Sequence, residues 1–347
     1  MIKAGIIGAT GYVGTELVRL LKKHKEVEIT HITSRSYEGQ KYDDIYENYR
    51  DVFQLECCDK EIDEIAKEVD VLFLALPHGI ASKEIDSSIL DKTKIIDMGA
   101  DYRLSDWEVY ESCYNTEHGS KDILKEAVYG MPEIYREEIK KARIVANPGC
   151  YPTSSILSLL PLMKENLIDP DTLIIDAKSG VTGAGRSVNV PTHFTECNES
   201  FKAYGIASHR HTPEIEEQLG KLSGSDVMLN FTPHLVPMNR GILTTAYAKL
   251  KEKKTYDEIK EIYSKYYKDE YFVRVTKEGI FPETKWVKGS NFCDVGIKID
   301  ERTGRIIVIG AIDNMIKGSA GQALQNMNLM FGFDEKEGLE DVSIFPV

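Results

Sequence analysis

The sequence predicts an α/β protein with two domains. The first domain is a parallel sheet with helices on both faces, and the second is an α+β domain inserted into the chain of the first. A chain of 347 residues suggests about two domains at ~150 residues each. Its first third alternates short apolar runs with helical stretches, which is typical of a parallel sheet. After Cys150 the sequence becomes rich in strand patterns, which favours a mostly antiparallel sheet.

In the first domain, short apolar runs predict strands at 2–7, 28–33, 71–76, 95–98 and 144–146. Residues 14–24 predict a helix, because Leu17, Leu20 and Leu21 recur on one face. In the second domain, strands are predicted at 173–177, 227–232, 241–250, 271–275, 295–299 and 306–312, with helices at 213–221 and 256–267. The pattern turns helical again from Gly318.

The predicted domains are therefore 1–149 plus 314–347, a nucleotide-type domain, and 150–313, an inserted second domain. The segment after 313 returns to the first domain as a closing helix.

Charge and cysteine content narrow the function. There are 43 basic and 56 acidic side chains, a formal charge of −13, which argues against nucleic acid and an anionic membrane surface as partners. No apolar run reaches the ~18 residues that a membrane-spanning helix needs. The N-terminus has no secretory pattern, and six sparse cysteines without a CxxC pair fit neither a disulfide scaffold nor a zinc ribbon. We therefore expect reduced thiols in a cytoplasmic protein.

A glycine-rich loop joins the first predicted strand to the first helix. Such a turn lets a pyrophosphate approach the backbone and the helix N-terminus. The spacing is GxxGxxG, a looser match than GxGxxG, and a plain structural turn is the alternative. The position favours dinucleotide binding by Gly8, Thr10, Gly11, Tyr12, Val13 and Gly14.

The second strand ends in Thr33-Ser34-Arg35-Ser36, where an NAD-preferring site usually carries an acid. The hydroxyls of Ser34 and Ser36 and the guanidinium of Arg35 suit a 2′-phosphate, so NADP is the predicted cofactor. A polar loop without function is the alternative. Pro77 and His78 close the next strand and are expected beside the cofactor.

Cys150 lies in an Asn-Pro-Gly-Cys turn ahead of an apolar helical run. A helix N-terminus favours the thiolate, which is the nucleophilic form, although most cytoplasmic cysteines are inert. His209 and His211 precede a helix that begins near Pro213, and either imidazole can act as acid or base. The alternative is that both histidines are hydrogen-bonded surface residues. A role as two metal ligands is less favoured, so no metal is predicted.

Two arginines are candidate anion contacts. Arg186 ends the polar loop 178–186, whose backbone N–H groups could wrap an anion, and Arg103 follows the strand at 95–98. Each taken alone is more often a solvated surface side chain. In a chain of charge −13, these positions are reasonable phosphate contacts.

Together these segments resemble the N-acetyl-γ-glutamyl-phosphate reductase family, within the aspartate-semialdehyde dehydrogenase superfamily. The resemblance runs in order through GATGYVG, LPHG, DYRL, NPGCYPT, SGVTGAGR, HRHTPEIE and DNMIKGSAGQA, and covers nearly the whole chain. NPGCYPT and HRHTPEI are its most specific motifs, and no position that carries chemistry departs from the pattern.

The resemblance implies a Rossmann-type NADP-binding domain and NADPH-dependent reductive dephosphorylation of an acyl phosphate in arginine biosynthesis. Cys150 would be the nucleophile that forms a thioester, and His209 the acid/base. Substrate contacts would come from Arg103, Ser179, Arg186, Tyr204 and His211, and Gly180 and Asn314 would approach the cofactor. It also implies a homodimer or homotetramer built through the sheet of the second domain.

Two alternatives remain open at this point. The same motifs would serve a reductase of carrier-bound aminoadipyl phosphate in lysine biosynthesis, since one methylene is worth only ~1–3 kcal/mol in an apolar pocket. A non-catalytic NADP sensor would need the glycine loop but no nucleophile, so the presence of Cys150 and His209 argues against it.

Overall fold

A computed structural model describes residues 1–346 of the chain. They form two compact units: Met1–Pro148 with Ser319–Leu339, and Gly149–Gly318 with the residues that follow Leu339. The predicted fold class is confirmed, since the first unit holds a parallel sheet with helices and the second a mixed sheet with helices. The boundaries differ from the predicted ones: Gly149, residues 314–318 and residues 340–346, all assigned to the first domain from the sequence, belong to the second unit.

The first unit is organised by seven parallel strands in the order β3-β2-β1-β4-β5-β7-β6. These strands are β1 Ile2–Ile7, β2 Val27–Thr33, β3 Cys57–Cys58, β4 Val71–Leu74, β5 Lys94–Asp97, β6 Val128–Tyr129 and β7 Ile144–Ala146. Because β1 lies between β2 and β4, the order reverses beside it, which is where ligands bind in open parallel sheets.

Eight helices precede the second unit in the chain, and a C-terminal helix, Gly321–Phe331, returns to pack against the first and last of them. The eight are α1 Tyr12–Leu21, α2 Tyr42–Ile45, α3 Ile62–Ala66, α4 Ala81–Glu84, α5 Ser87–Leu90, α6 Trp107–Tyr114, α7 Lys121–Leu124 and α8 Pro132–Ile139. The returning helix is held by a hydrogen bond between His24 Nε2 and Asn328 Oδ1 (2.9 Å). Lys94 also donates from Nζ to the carbonyl of Met330.

The second unit has a seven-stranded mixed sheet in the order β12-β13-β14-β11-β8-β10-β9. Its strands are β8 Ile168–Gly180, β9 Lys202–Ala203, β10 Asn230–Val236, β11 Ile242–Leu250, β12 Val273–Val275, β13 Cys293–Asp300 and β14 Arg305–Ile312. Its helices are α9 Cys150–Lys164, α10 Phe194–Cys197, α11 Thr212–Ser223 and α12 Tyr256–Tyr267. Two strand pairs, β8–β10 and β12–β13, are parallel, and the other neighbours are antiparallel.

Short 3₁₀ turns occur at Glu47–Tyr49, Val181–Ala184, Val190–Thr192 and Thr284–Trp286, and a single π-helical turn occurs at Ile316–Ala320. One predicted strand is displaced: the pattern at 227–232 predicts a strand that begins and ends earlier than β10 does. β10 continues through Pro233 to Val236 because it pairs in parallel with β8 as far as Gly180.

Helix α9 is the centre of the second unit. It lies against β11 and β14, and α11 and α12 pack on it. Its contact with β14 is close, since a Cβ at Gly310 would lie 2.1 Å from Ser158 Oγ. From α12, Tyr263 donates its hydroxyl to the carbonyl of Ser158 (2.6 Å), which fixes the middle of α9 from the side.

Within residues 1–346, no helix is both long and apolar enough to cross a membrane.

We predict that Gly14→Ala destabilises the first unit by about 3 kcal/mol or more, measured by urea unfolding. A Cβ at this position would lie 2.3 Å from the carbonyl oxygen of Gly8 and 2.6 Å from Ala9 Cα, both backbone atoms. This collision outweighs the ~1 kcal/mol that Ala normally gains over Gly inside a helix.

Gly11→Ala is the matched control, because its Cβ would have no neighbour closer than 3.6 Å. It should cost less than about 1 kcal/mol, the range of a changed helix cap. Equal urea midpoints for the two variants would contradict the packing argument.

Candidate active site

The glycine loop of the first unit is shaped by contacts that only glycine permits. Gly8 has φ of +86°, and a Cβ there would lie 2.5 Å from the carbonyl oxygen of Ala75. Gly11 is the N-cap of α1. The loop therefore brings its backbone against the start of α1, where the first-turn N–H groups of a helix have no partner within the helix. This arrangement suits an anion.

Three tyrosines that the sequence analysis did not single out donate hydrogen bonds to backbone carbonyls of this loop and of α1. Tyr42 donates its hydroxyl to the carbonyl of Ala9 (3.2 Å), and Tyr46 donates to the carbonyl of Thr10 (2.7 Å). The hydroxyl of Tyr49 donates to the carbonyl of Thr15 in the first turn of α1 (3.3 Å). Burial raises the pKa of Tyr42 and, to about 12, the pKa of Tyr49, so both remain donors at neutral pH.

A cleft of ≈ 390 Å³ opens beside the loop. It lies at the carboxyl ends of β1, β2, β3 and β4, where the strand order reverses. Seven of the predicted cofactor residues line it, namely Gly8, Thr10, Gly11, Ser34, Arg35, Ser36 and Pro77. The other four cofactor residues predicted in the first unit do not line it, namely Tyr12, Val13, Gly14 and His78. The sequence analysis missed Glu38, Cys58, Asp59, Lys60, Glu61 and Glu84 in the lining.

The chemistry of this cleft fits a dinucleotide with a 2′-phosphate. Ser34 and Thr10 share a buried hydrogen bond of 2.6 Å between their hydroxyls, which fixes the end of β2 against the glycine loop. Lys60 already binds Glu68, at 2.7 and 2.8 Å. The exposed Arg35 is therefore the cation best placed to receive an extra phosphate in a cleft that also contains four carboxylates.

Behind the cleft, Asp101 organises the loop that contains Pro77 and His78. Its carboxylate accepts hydrogen bonds from the N–H groups of Gly79 (2.8 Å) and Ser82 (2.9 Å). The ring of His78 is exposed and accepts from the N–H of Ala100 through Nδ1 (3.2 Å). His78 thus links two loops of the first unit.

Arg103 is buried at the ends of β5 and β7. It donates from Nε to the carbonyl of Asn147 (2.8 Å) and from Nη2 to the carbonyl of Met98 (2.9 Å). The nearby Asp97 is fully buried, and burial, reinforced by the charge of Asp101, raises its pKa to about 7. The guanidinium charge of Arg103 opposes that rise.

In the second unit, Cys150 is the first residue of α9, so its thiol lies at a helix N-terminus as the sequence predicts. The preceding N–H, that of Gly149, donates to Glu214 Oε1 (2.9 Å), and Glu214 is buried. A Cβ at Gly318 would lie 2.9 Å from Cys150 Cβ, so the chain also passes close to Cys150 at residue 318. Glu214 lies in the first turn of α11, and no spacing in the sequence shows that it would reach Gly149.

His209 lies in a cage of rings formed by Tyr151, Tyr204, His211 and Phe231, with centroid distances of 4.9 to 5.6 Å. The interplanar angles of 63° to 88° make all four contacts edge-to-face. Burial in this cage, with the charge of Arg210 as a smaller cause, lowers the pKa of His209 to about 4. The ring is therefore neutral at physiological pH.

A backbone contact fixes which nitrogen of that neutral ring carries the proton. The N–H of His211 donates to His209 Nδ1 (3.1 Å), so Nδ1 must present its lone pair. The proton then resides on Nε2. A neutral His209 is consequently a hydrogen-bond donor through Nε2, not a base at that atom.

Tyr204 joins the same cluster through its hydroxyl, which donates to the hydroxyl of Tyr151 (3.2 Å). Burial raises the pKa of Tyr204 to about 12. The structure thus brings together four of the predicted residues, Cys150, Tyr204, His209 and His211, within the second unit. Tyr151, which the sequence analysis quoted in a motif but did not assign, connects them.

Of the remaining predicted residues of this unit, Ser179 and Gly180 end β8, Arg186 lies in the loop after it, and Asn314 follows β14. Ser179 is buried and Arg186 is exposed at the far end of the loop. Gly180 has no room for a side chain, since a Cβ would lie 2.6 Å from the carbonyl oxygen of Asn239. Asn314 accepts from the N–H of Gly241 (2.8 Å) and donates to Thr182 Oγ1 (3.0 Å), which anchors the loop.

Among residues 1–346, no cluster of three or more His, Cys, Asp or Glu side chains is arranged to hold a metal ion.

These two units correspond to a known class. Residues 3–142 match the family described as semialdehyde dehydrogenase, NAD binding domain, and residues 150–314 match semialdehyde dehydrogenase, dimerisation domain. The chain therefore has the two-domain architecture of the semialdehyde dehydrogenases, with an NAD(P)-binding first unit.

Sequence relatives narrow this class to one family. A protein of Lachnoclostridium phytofermentans named N-acetyl-gamma-glutamyl-phosphate reductase is 57% identical over 346 residues, covering 100% of both chains. One of the same name from Campylobacter jejuni is 55% identical over 341 residues, covering 98% of both. The chain belongs to the N-acetyl-γ-glutamyl-phosphate reductase family, and the resemblance seen in its motifs is confirmed.

Solved structures agree on the fold. Aspartate semialdehyde dehydrogenase II of Vibrio cholerae, complexed with ASA, superposes with a TM-score of 0.73 at 15% identity, covering 96% of this chain and 98% of that one. The enzyme of Candida albicans with NADP gives a TM-score of 0.68 at 17% identity, covering 95% and 99%. At these identities the likeness concerns the fold alone.

We predict that imidazole ¹H–¹⁵N NMR will find His209 as the neutral Nε2–H tautomer from pH 8 down to about pH 5, and charged only near pH 4. In urea the same ring should titrate near 6.5. The unfolded ring therefore binds its proton first, and stability falls as the pH drops from about 6.5 to about 4.

The variant His209→Asn identifies the resonance and should lack that part of the pH dependence of unfolding. A folded-state midpoint at or above about 6, or an Nδ1–H signal, would show that the ring is not enclosed as described.

Proposed function

We propose that this chain catalyses the NADPH-dependent reductive dephosphorylation of N-acetyl-γ-glutamyl phosphate to N-acetylglutamate 5-semialdehyde and phosphate, a step of arginine biosynthesis. The observation that carries the proposal is that Cys150, at the N-terminus of α9, directly precedes Tyr151, whose ring packs on His209 at 5.6 Å. The relatives' names supply the substrate, since proteins 50–57% identical over the full length bear that reductase name.

Cys150 begins the reaction. The N-terminus of α9 favours its thiolate, which attacks the acyl carbon of the acyl phosphate. A carbon–sulfur bond forms, the carbon–oxygen bond to phosphate breaks, and the phosphate leaves with that electron pair. Arg186 and Arg103 are proposed to neutralise its charge, and Ser179 and Tyr204 to contact the substrate.

His209 acts on the acyl oxygen. Its Nε2–H is the available donor, so we assign it a hydrogen bond to the oxyanion that develops as sulfur adds to the carbonyl. The family resemblance implies an acid/base role for His209. We propose instead that its neutral ring donates a hydrogen bond from Nε2. His211 supplies the backbone N–H that keeps His209 in this state and lies beside the substrate.

The cofactor residues of the first unit complete the proposal. Arg35, Ser34 and Ser36 would bind the 2′-phosphate, and the glycine loop the pyrophosphate. When bound, NADPH supplies the hydride that reduces the thioester on Cys150. The resulting alkoxide collapses to the aldehyde and releases the Cys150 thiolate, and this collapse needs no net proton transfer. His209 Nε2–H would therefore stabilise the oxyanion in both steps, the addition of sulfur and the addition of hydride.

Two further properties are part of the proposal. The match of 150–314 to a dimerisation domain supports a homodimer or homotetramer built through the sheet of the second unit. All six cysteines lie in the described part of the chain and none forms a disulfide, which supports a cytoplasmic location.

Cys150→Ser tests the covalent step. Purified protein is assayed for phosphate-dependent reduction of NADP with N-acetylglutamate semialdehyde as substrate. We expect turnover of the wild-type chain and a loss of at least about 1,000-fold in the variant, with NADPH binding unchanged, because a hydroxyl is not ionised at this pH.

Cys197→Ser, on the short helix α10, is the matched control and should keep its activity. Near wild-type turnover by Cys150→Ser would rule out the thioester. No phosphate-dependent activity in the wild type would reject the proposed reaction itself.

Arg35→Ala tests the cofactor assignment. Loss of a charge-assisted contact to the 2′-phosphate, worth about 1.5–3 kcal/mol, should raise the KM for NADPH roughly 10- to 100-fold and leave that for NADH nearly unchanged. Arg50→Ala removes an exposed arginine of the same unit that pairs with Glu47 outside the cleft, and should alter neither. An equal rise in the KM for NADPH and the KM for NADH would show that Arg35 does not bind the 2′-phosphate.

A further inference from the structure

Tyr151 is the residue directly after the nucleophile, yet its side chain is only 2% exposed. Burial raises its pKa, so the phenol stays protonated at neutral pH. Such a side chain cannot meet bulk solvent or take part as a phenolate. Its influence on the reaction must pass through the groups that it touches.

The hydroxyl of Tyr151 makes one set of contacts. It donates to the carbonyl of His234 (3.1 Å) on β10 and accepts from the hydroxyl of Tyr204 (3.2 Å). Because the proton of Tyr151 is used by His234, the lone pair faces Tyr204 and fixes the direction of that hydroxyl. Tyr204 is itself held next to β9, where its N–H donates to the carbonyl of Pro233.

The ring of Tyr151 makes a second, separate set of contacts. It packs edge-to-face on His209 (5.6 Å, 88°), on His211 (5.9 Å, 69°) and on Phe231 (5.3 Å, 73°). The two imidazoles also contact each other at 4.9 Å. The ring therefore forms one wall of the apolar enclosure around His209, which excludes water from that imidazole.

A buried tyrosine in the same unit shows what a purely structural role looks like. Tyr263 is fully buried, donates to the carbonyl of Ser158 on α9 and contacts Tyr267. Like Tyr151 it binds a backbone carbonyl. Unlike Tyr151 it touches none of the residues that the proposed reaction uses.

We infer that Tyr151 is a positioning residue with two separable actions: its hydroxyl aims Tyr204 at the substrate, and its ring orients and desolvates His209. The inference rests on the proposed function for its kinetic readouts. Its spectroscopic readout does not depend on that function, because it concerns the imidazole alone.

Tyr151→Phe separates the two actions. It keeps the ring and removes the hydroxyl, so Tyr204 loses the acceptor that orients it. We expect the KM for the acyl substrate to rise roughly 3- to 10-fold, the equivalent of one neutral hydrogen bond, with kcat changed less than about 3-fold. The NMR titration of His209 should stay as in the wild type.

Tyr151→Leu removes the ring wall as well. Water then reaches the imidazole, so the charged form is less penalised and the titration midpoint of His209 should rise by about 1 pH unit. We expect kcat to fall roughly 10- to 100-fold, because the donor is no longer held in its orientation. The acid limb of the kcat profile should move to higher pH by the same amount as the NMR midpoint.

Tyr263→Phe and Tyr263→Leu are the matched controls for lost stability. They should lower the thermal midpoint at least as much as the Tyr151 pair while leaving KM, kcat and the His209 titration unchanged. If Tyr151→Leu does not fold, Tyr151→Phe, which keeps the ring, still tests the action of the hydroxyl through the KM for the acyl substrate, and an unchanged KM would overturn it.

The inference is overturned if both Tyr151 variants change kcat and KM no more than the Tyr263 pair and leave the His209 midpoint in place. A wild-type chain without activity would reject the proposed function, yet a shifted His209 midpoint in Tyr151→Leu would still support the ring's action.

Discussion

The hydrogen bond from the N–H of Gly149 to the buried carboxylate of Glu214 joins the beginnings of two helices. One of them, α9, starts with Cys150, and the other, α11, starts directly after His211. Breaking a hydrogen bond to a buried carboxyl group costs free energy, so this contact holds the two helix starts together. It joins the segment that contains Cys150 to the helix that follows His209 and His211.

The order of elements could be predicted from the sequence because each long element carries its own pattern. The helix Tyr256–Tyr267 has the predicted bounds because its buried residues recur on one face, and the strand Ile2–Ile7 has them because it is a short apolar run. The two-residue strands Cys57–Cys58, Val128–Tyr129 and Lys202–Ala203 could not, because they exist only through pairing with distant neighbours. The prediction of a mostly antiparallel second sheet is confirmed, although its strand order is not visible in local sequence.

The candidate site shows a similar division. Residue type and local turn predict that Cys150 begins a helix and that the glycine loop faces a cleft. The roles of Glu214 and Tyr151 depend on contacts between segments far apart in the chain, for which spacing gives no signal. The same holds for the direction of His209, since only the folded loop shows that the N–H of His211 takes its Nδ1 lone pair. The candidate reactive groups, Cys150 and His209, can thus be predicted from the sequence, whereas the protonation and orientation of His209 depend on tertiary contacts.

Gly318 has a consequence for the size of the reaction space. In the proposed reaction Cys150 gains an acyl group and loses it again in every cycle, so the volume beside its sulfur has to stay available. At 318 the absence of a side chain keeps the chain from crowding Cys150, whose Cβ would otherwise be 2.9 Å from a new methyl group. The space around Cys150 thus depends on a residue that has no reactive group. A methyl group at 318 would force Cys150 or the segment that contains residue 318 to shift.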